Sequence, residues 1–137
     1  MEYHLTDHSA DIGIHVISST LNALFEDAAM AMFDQIADMN RVDATEKKTI
    51  RVCGDDLPDL MVNWLREALF CWTGLEMLMK QAQVISLSET ELEAEVWLEE
   101  YQSEKHRLKH EIKAVTYYQI DVTPCSEGWE TTIVFDV

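Results

Sequence analysis

Glu91-Leu92-Glu93-Ala94-Glu95-Val96-Trp97-Leu98 sets Leu92, Ala94, Val96 and Leu98 in strict alternation with Glu91, Glu93, Glu95 and Trp97. A period of two puts the four aliphatic side chains on one face of a strand and the acids on the other. A strand with one dry and one wet face belongs to an antiparallel sheet, because parallel strands are covered on both sides. Upstream the period changes. Leu57, Leu60, Met61, Trp64, Leu65, Ala68, Leu69 and Trp72 recur at i, i+3, i+4 and i+7, the stripe of an amphipathic helix. This helix starts at Asp55 or Asp56. Pro58 stands in its first turn, where a missing N–H costs nothing, and Asp59 faces the positive end of the dipole. Nothing polar converges on the stripe, so it reads as core rather than as a cofactor pocket.

Working outward, residues 20–38 predict a first helix, with Leu21, Leu24, Phe25, Ala28, Met32 and Ile36 on one face and Ser18, Ser19 or Thr20 as N-cap. Short strands are predicted at 2–5 and 11–17, joined by the polar segment 6–10, and another at 45–53, ended by Gly54. From about residue 82 the chain reads as strands only: one containing Val84, Ile85 and Leu87, then 92–98, 112–122 and 129–137, with a hairpin turn at 124–128. Strands on both sides of two one-faced helices predict an α+β fold. It is a two-layer sandwich with a mainly antiparallel sheet, built as one domain over 1–137. With 137 residues, 47% of them hydrophobic, such a core needs no staples.

Charge narrows the function classes. The chain carries 26 acidic residues against 10 Lys and Arg, a formal net charge of −16. Nucleic-acid affinity rests on neutralising phosphates, so direct nucleic-acid binding is not expected. Lys105, Arg107, Lys109 and Lys113 cluster with His106 and His110, but Glu104 and Glu111 interrupt them. Cys53, Cys71 and Cys125 are odd in number and show no CxxC or Cys/His spacing, so they are read as reduced thiols. No basic, apolar leader opens the chain and no apolar run approaches the roughly 18 residues of a membrane span. The expectation is a cytoplasmic protein with no membrane partner.

Three stretches hold groups capable of chemistry. Asp7-His8-Ser9-Ala10-Asp11 concentrates two carboxylates, an imidazole and a hydroxyl between two strands. Hard divalent cations want several oxygen ligands, but the same residues also suit a turn in which Asp7 or Ser9 bonds nearby N–H groups. The chain ends inside an apolar strand pattern, Val134-Phe135-Asp136-Val137, which holds Asp136 in a fixed place and adds the oxygens of Val137, a full carboxylate where that residue is the terminus. Such a dense negative site is costly without a cation. Lys113 lies within the apolar strand Ile112-Lys113-Ala114-Val115-Thr116-Tyr117-Tyr118. It reads either as an edge-strand charge that blocks aggregation or as a cation reaching for an anionic ligand or partner. No GxSxG elbow, phosphate-binding glycine loop or dinucleotide fingerprint is present.

Taken together these stretches resemble the archease family. Asp7-His8-Ser9-Ala10-Asp11-Ile12-Gly13 is similar to its Asp/Glu-His-Thr-Ala-Asp-Ile/Val signature, and Thr20-Leu21 through Ala28, Met32 and Phe33 to its first helix. Asp56-Leu57 through Trp64-Leu65 resembles its second helix, Lys113-Ala114-Val115-Thr116-Tyr117 its Lys-Ala-Val/Ile-Thr-Tyr-His strand, and Asp136-Val137 its acidic ending. The resemblance is collinear over essentially the whole chain. It implies an accessory protein that activates an RtcB-type RNA ligase, used in tRNA splicing and RNA repair, by promoting guanylylation of the ligase and multiple turnover. It further implies a divalent metal, Ca²⁺ in the first place and Mg²⁺ or Mn²⁺ as alternatives, held by residues matching Asp11, Asp136 and Val137. Asp7 and Lys113 match positions implicated in activation, and His8 is placed with them as a partner contact. Ser9 stands where Thr is usual and keeps the hydroxyl, whereas Tyr118 stands where His is typical. Two other readings compete with this non-enzymatic one. The first is a metal-dependent hydrolase using Asp7, His8, Asp11 and Asp136, with His8 as base. The second is a small dimeric binding module with an incidental cation.

Overall fold

In the computed structural model, which describes residues 1–6 and 11–137, the elements run β1 (Tyr3–Thr6), β2 (Asp11–Ser18), α1 (Leu21–Ile36), β3 (Glu46–Cys53), α2 (Leu57–Thr73), β4 (Met77–Leu87), β5 (Glu91–Glu100), β6 (Ala114–Val115), β7 (Asp121–Cys125) and β8 (Gly128–Asp136). The expected α+β class holds: two helices pack against antiparallel strands. The strands divide into two sheets, one ordered β1-β2-β8-β6 with β7 also paired to β8, the other β3-β5-β4. Each helix touches strands of both sheets. Among the described residues no helix is long and apolar enough to cross a membrane.

Local chemistry sets the helix bounds. Thr20 Oγ1 accepts the Ala23 N–H at 3.1 Å, and Asp56 Oδ1 accepts the Asp59 N–H at 2.9 Å, each relieving one orphan donor of a first turn. The apolar stripes then meet in one core, where Phe25, Phe33 and Trp64 are fully buried. Trp64 Nε1 donates to the Phe25 carbonyl at 2.8 Å, so the largest core side chain leaves no polar atom unsatisfied. Gly128 opens β8 at φ +135°, where a Cβ would lie 2.4 Å from the Ser18 carbonyl oxygen.

Two predicted strands differ in extent, each for a local reason. β4 begins at Met77, ahead of the predicted start, because Lys80 and Ile85 are extra residues at register shifts and break the period of two. Lys80 uses the first shift to reach the Met39 carbonyl at 2.7 Å, while Glu26 of α1 accepts the Val84 N–H at 2.8 Å. The stretch 112–122 is not one strand. Ile120 N–H closes a turn onto the Tyr117 carbonyl, Gln119 takes φ 55°, and the chain restarts as β7.

The segment between β5 and β6 carries the Lys, Arg and His cluster, and most of its groups are engaged internally. Lys109 and His110 donate main-chain N–H groups to the carbonyls of Ile36 (2.8 Å) and Gln35 (3.1 Å), closing the open end of α1. Lys105 Nζ bonds Asp43 and Glu99, each at 2.6 Å. His106 is buried. Its Nδ1 accepts the Gln102 N–H at 3.0 Å, which leaves Nε2 to donate to Glu99 Oε1 at 2.6 Å. Burial raises the Glu99 pKa, but the bonds from Lys105, the Asp43 N–H and His106 outweigh it and hold the carboxyl at about 2 against its ordinary 4.5.

A folded pKa below the unfolded one contributes stability that is complete above about 4.5 and disappears as pH falls toward 2. Glu99→Gln is therefore expected to cost about 1–3 kcal/mol at pH 7, with the gap from wild type narrowing between these two pH values. Urea unfolding at pH 7, 4 and 3 measures this, and a gap independent of pH would refute it.

Candidate functional site

The candidate site is set by the pairing of β2 with β8. Their register runs from Asp11↔Asp136 through Ile12↔Phe135, Ile14↔Ile133 and Val16↔Thr131 to Ser18↔Trp129. Ile14, Val16, Thr131, Ile133 and Phe135 are buried, so this set faces the core. Alternation then turns Asp11 and Asp136 outward together at the end of the pair, Asp11 half-buried and Asp136 exposed. Directly opposite residues of an antiparallel pair hold their Cβ atoms about 4.5–5.5 Å apart. The two aspartates from opposite ends of the chain are thus cross-strand neighbours, well inside the separation that one bridging ion tolerates.

Like charges directly opposite each other destabilise a strand pair. Among the described residues no Lys, Arg or His lies within ion-pair distance of either carboxylate to relieve it. The donor chemistry suits a hard dication: two carboxylates, the nearby main-chain carbonyls and the oxygens of Val137, which is 41% exposed. Soft-metal ligands do not converge here. No group of three or more His, Cys, Asp and Glu able to hold an ion occurs among the described residues. Asp7 and His8, the remaining candidates, lie outside those residues.

Lys113 is joined to this corner through its backbone. Its N–H donates to the Asp136 carbonyl at 2.8 Å, immediately before β6 pairs as Ala114↔Asp136 and Val115↔Phe135. Thr116 then bonds the Val134 carbonyl twice, through N–H at 3.1 Å and Oγ1 at 2.8 Å. The Lys113 ammonium has no acidic partner within ion-pair distance among the described residues. It lines an open groove of about 470 Å³ with Arg66, Leu69, Phe70, Thr73, Ala114 and Val115.

The anchoring of this segment by α2 is missed by sequence reading. Arg66 donates from Nε (3.2 Å) and Nη2 (3.1 Å) to the Val115 carbonyl, and its guanidinium lies 4.7 Å from the centre of the Tyr117 ring. Tyr117 O–H donates to Asp59 Oδ1 at 2.6 Å. That bond lowers the Asp59 pKa, with the Asp55 N–H adding to it, and raises that of Tyr117. The one available signal was Phe70, an apolar residue off the core stripe of its helix. Tyr118, the departure from the usual His, is exposed and donates its N–H to Thr116 Oγ1 at 3.2 Å.

The fold and site define a class of small α+β domains with a paired-aspartate corner and an edge segment clamped to a helix. The profile of the archease protein family matches residues 3–137. Protein archease of Methanosarcina acetivorans is 33% identical over 140 residues, covering 99% of this chain and 96% of the relative. That of Pyrococcus abyssi is 34% identical over 136 residues, covering 96% and 95%. The solution structure of Methanobacterium thermoautotrophicum protein 1598 superposes with a TM-score of 0.81 at 24% identity, covering 98% of both chains, a likeness of fold. The chain belongs to the archease family. Membership supports an accessory or activator role.

With chelator present, Asp136→Asn is expected to stabilise the protein by about 0.2–1 kcal/mol by removing the cross-strand repulsion. A melting temperature unchanged or lowered by the substitution under chelation would show that the corner carries no such strain.

Proposed function

We propose that this protein holds a divalent cation, Ca²⁺ before Mg²⁺ or Mn²⁺, through Asp11, Asp136 and an oxygen of Val137, and activates an RtcB-type RNA ligase. It does so by promoting the ligase's guanylylation and sustaining its turnover, without being an enzyme itself. Family membership supports the accessory role. The observation that carries the metal is the register match of Asp11 with Asp136. Bound there, the cation would supply positive charge and fixed coordination. The chain's own residues do the rest: Asp11 and Asp136 present oxygens from two paired strands, and Lys113 stands beside them through its bond to Asp136. With a net charge of −16 the protein does not compete for RNA, and it suits the basic surface that an RNA ligase must carry. The compartment in keeping with this partner is the cytoplasm. In this reading Asp7 and His8, which precede Asp11 in the chain, belong to the partner contact with Lys113.

Two measurements test this reading. Calorimetric titration with Ca²⁺ is expected to give one saturable site that Asp11→Asn or Asp136→Asn abolishes. In ligase guanylylation assays, Asp11→Ala, Asp136→Ala and Lys113→Ala are each expected to lower activation at least tenfold. Full activation by all three variants would overturn the proposal.

A further inference from the structure

We propose that the groove between α2 and the segment leading into β6 is a docking site for a protein partner. The fitting occupant is a peptide segment that sets one carboxylate beside an apolar side chain and flanks that pair with Lys or Arg. The inference goes beyond the metal corner and does not depend on it.

The wall of the groove is built by α2. Arg66, Leu69, Phe70 and Thr73 fall at i, i+3, i+4 and i+7, a second stripe beside the core one. Leu69 and Val115 give it an apolar floor at 4% and 1% exposure, while Phe70 stands 52% exposed at its side. A large aromatic side chain left open beside a buried apolar floor can bury further area against a matching side chain. The polar groups are cationic. Arg66 uses two of its five N–H donors on the Val115 carbonyl and is held rigid by that bond and by Tyr117. Lys113 completes the pair.

Among the described residues neither Arg66 nor Lys113 has an acidic partner within ion-pair distance, a condition they share only with Lys48, Lys80 and Arg107. Arg41, Lys47, Arg51, Lys105 and Lys109 each have a carboxylate within ion-pair distance, as expected where acids are in such excess. Of the five without one, Arg66 and Lys113 meet at one groove lined with apolar surface, and a carboxylate beside an apolar side chain is the complement of that arrangement. The surroundings limit its extent. Glu67, Glu111 and Asp136 are exposed around the groove and Asp59 is half-buried beside it, so a continuous polyanion or an anionic membrane would be repelled where a Lys- or Arg-flanked peptide would be attracted. A second copy of this acidic chain is disfavoured by the same long-range repulsion.

Selection of a random peptide display library on the full chain, in chelator and at physiological salt, tests the inference. Enriched sequences are expected to carry Asp or Glu next to Leu, Ile, Phe or Tyr, with Lys or Arg outside the pair. In fluorescence anisotropy their affinity is expected to fall at least tenfold for both Lys113→Glu and Phe70→Ala and to be unchanged for Arg41→Glu, which follows α1 and does not line the groove. Thermal melts check that each variant is folded, and both groove positions are exposed. Enrichment of purely basic peptides, indifference of the selected peptides to the two groove substitutions, or no enrichment would each overturn it. Displacement of the selected peptides by millimolar inorganic phosphate would instead assign the groove to a free anion and overturn the peptide reading. Because the metal titration reads one site and the display selection the other, either can fail alone.

Discussion

The structure depends on the antiparallel pairing of β2 and β8, which joins the first and last stretches of the chain in the middle of a sheet. Ile14, Val16, Ile133, Phe135 and Thr131 face the core from these two strands and are fully buried. A slip of one residue would turn all of them outward, so the apolar face fixes the register strongly. That register leaves Asp11 and Asp136 no choice of neighbour. The core enforces a contact that the aspartates alone would avoid.

The same pairing organises the remaining parts of the site. β8 is bonded to β2 on one side and to both β6 and β7 on the other, so its last residues are held from two directions. The brief β6 would not be stable by itself, since two residues of ladder fix little. It persists because Lys113 and Thr116 bond β8, and because α2 reaches across with Arg66 and with Asp59 through Tyr117. The long segment before it is anchored in turn by buried His106 and Glu99 and by the bonds that close α1. Tertiary contacts thus place Lys113, from several elements far apart in sequence.

This division explains what could be read from the amino-acid order. The helices were legible because Thr20, Asp56 and Pro58 punctuate them and because their stripes keep one period throughout. β5 was legible because its alternation never slips. β4 was not fully legible, since Lys80 and Ile85 interrupt its period. The Tyr117-Tyr118 pair favours strand by propensity but turns instead, because Tyr117 finds Asp59 and Arg66 on a helix some fifty residues earlier. Pattern reading supplied Asp136 as a fixed group and Asp11 as an acid near a turn. Their pairing came only from resemblance, because no local signal reports which strands are neighbours.

Charge places the same limit on the cations. In sequence Lys105, Arg107, Lys109 and Lys113 form one run, and nothing in it separates structural charges from available ones. The fold divides them: Lys105 neutralises Glu99 and Asp43, Lys109 closes the end of α1, and Lys113 emerges beside Arg66. The backbone bond from Lys113 to Asp136 then makes the acidic corner and the cationic groove adjacent features of one clamped segment. A main chain held at Val134, Asp136 and Val115 cannot shift at one of them without straining its bonds at the other. The acidic pair and its neighbouring cation therefore form one rigid edge, with opposite charges a few residues apart, and against the partner proposed above complementary charge of that kind would fix orientation more than strength.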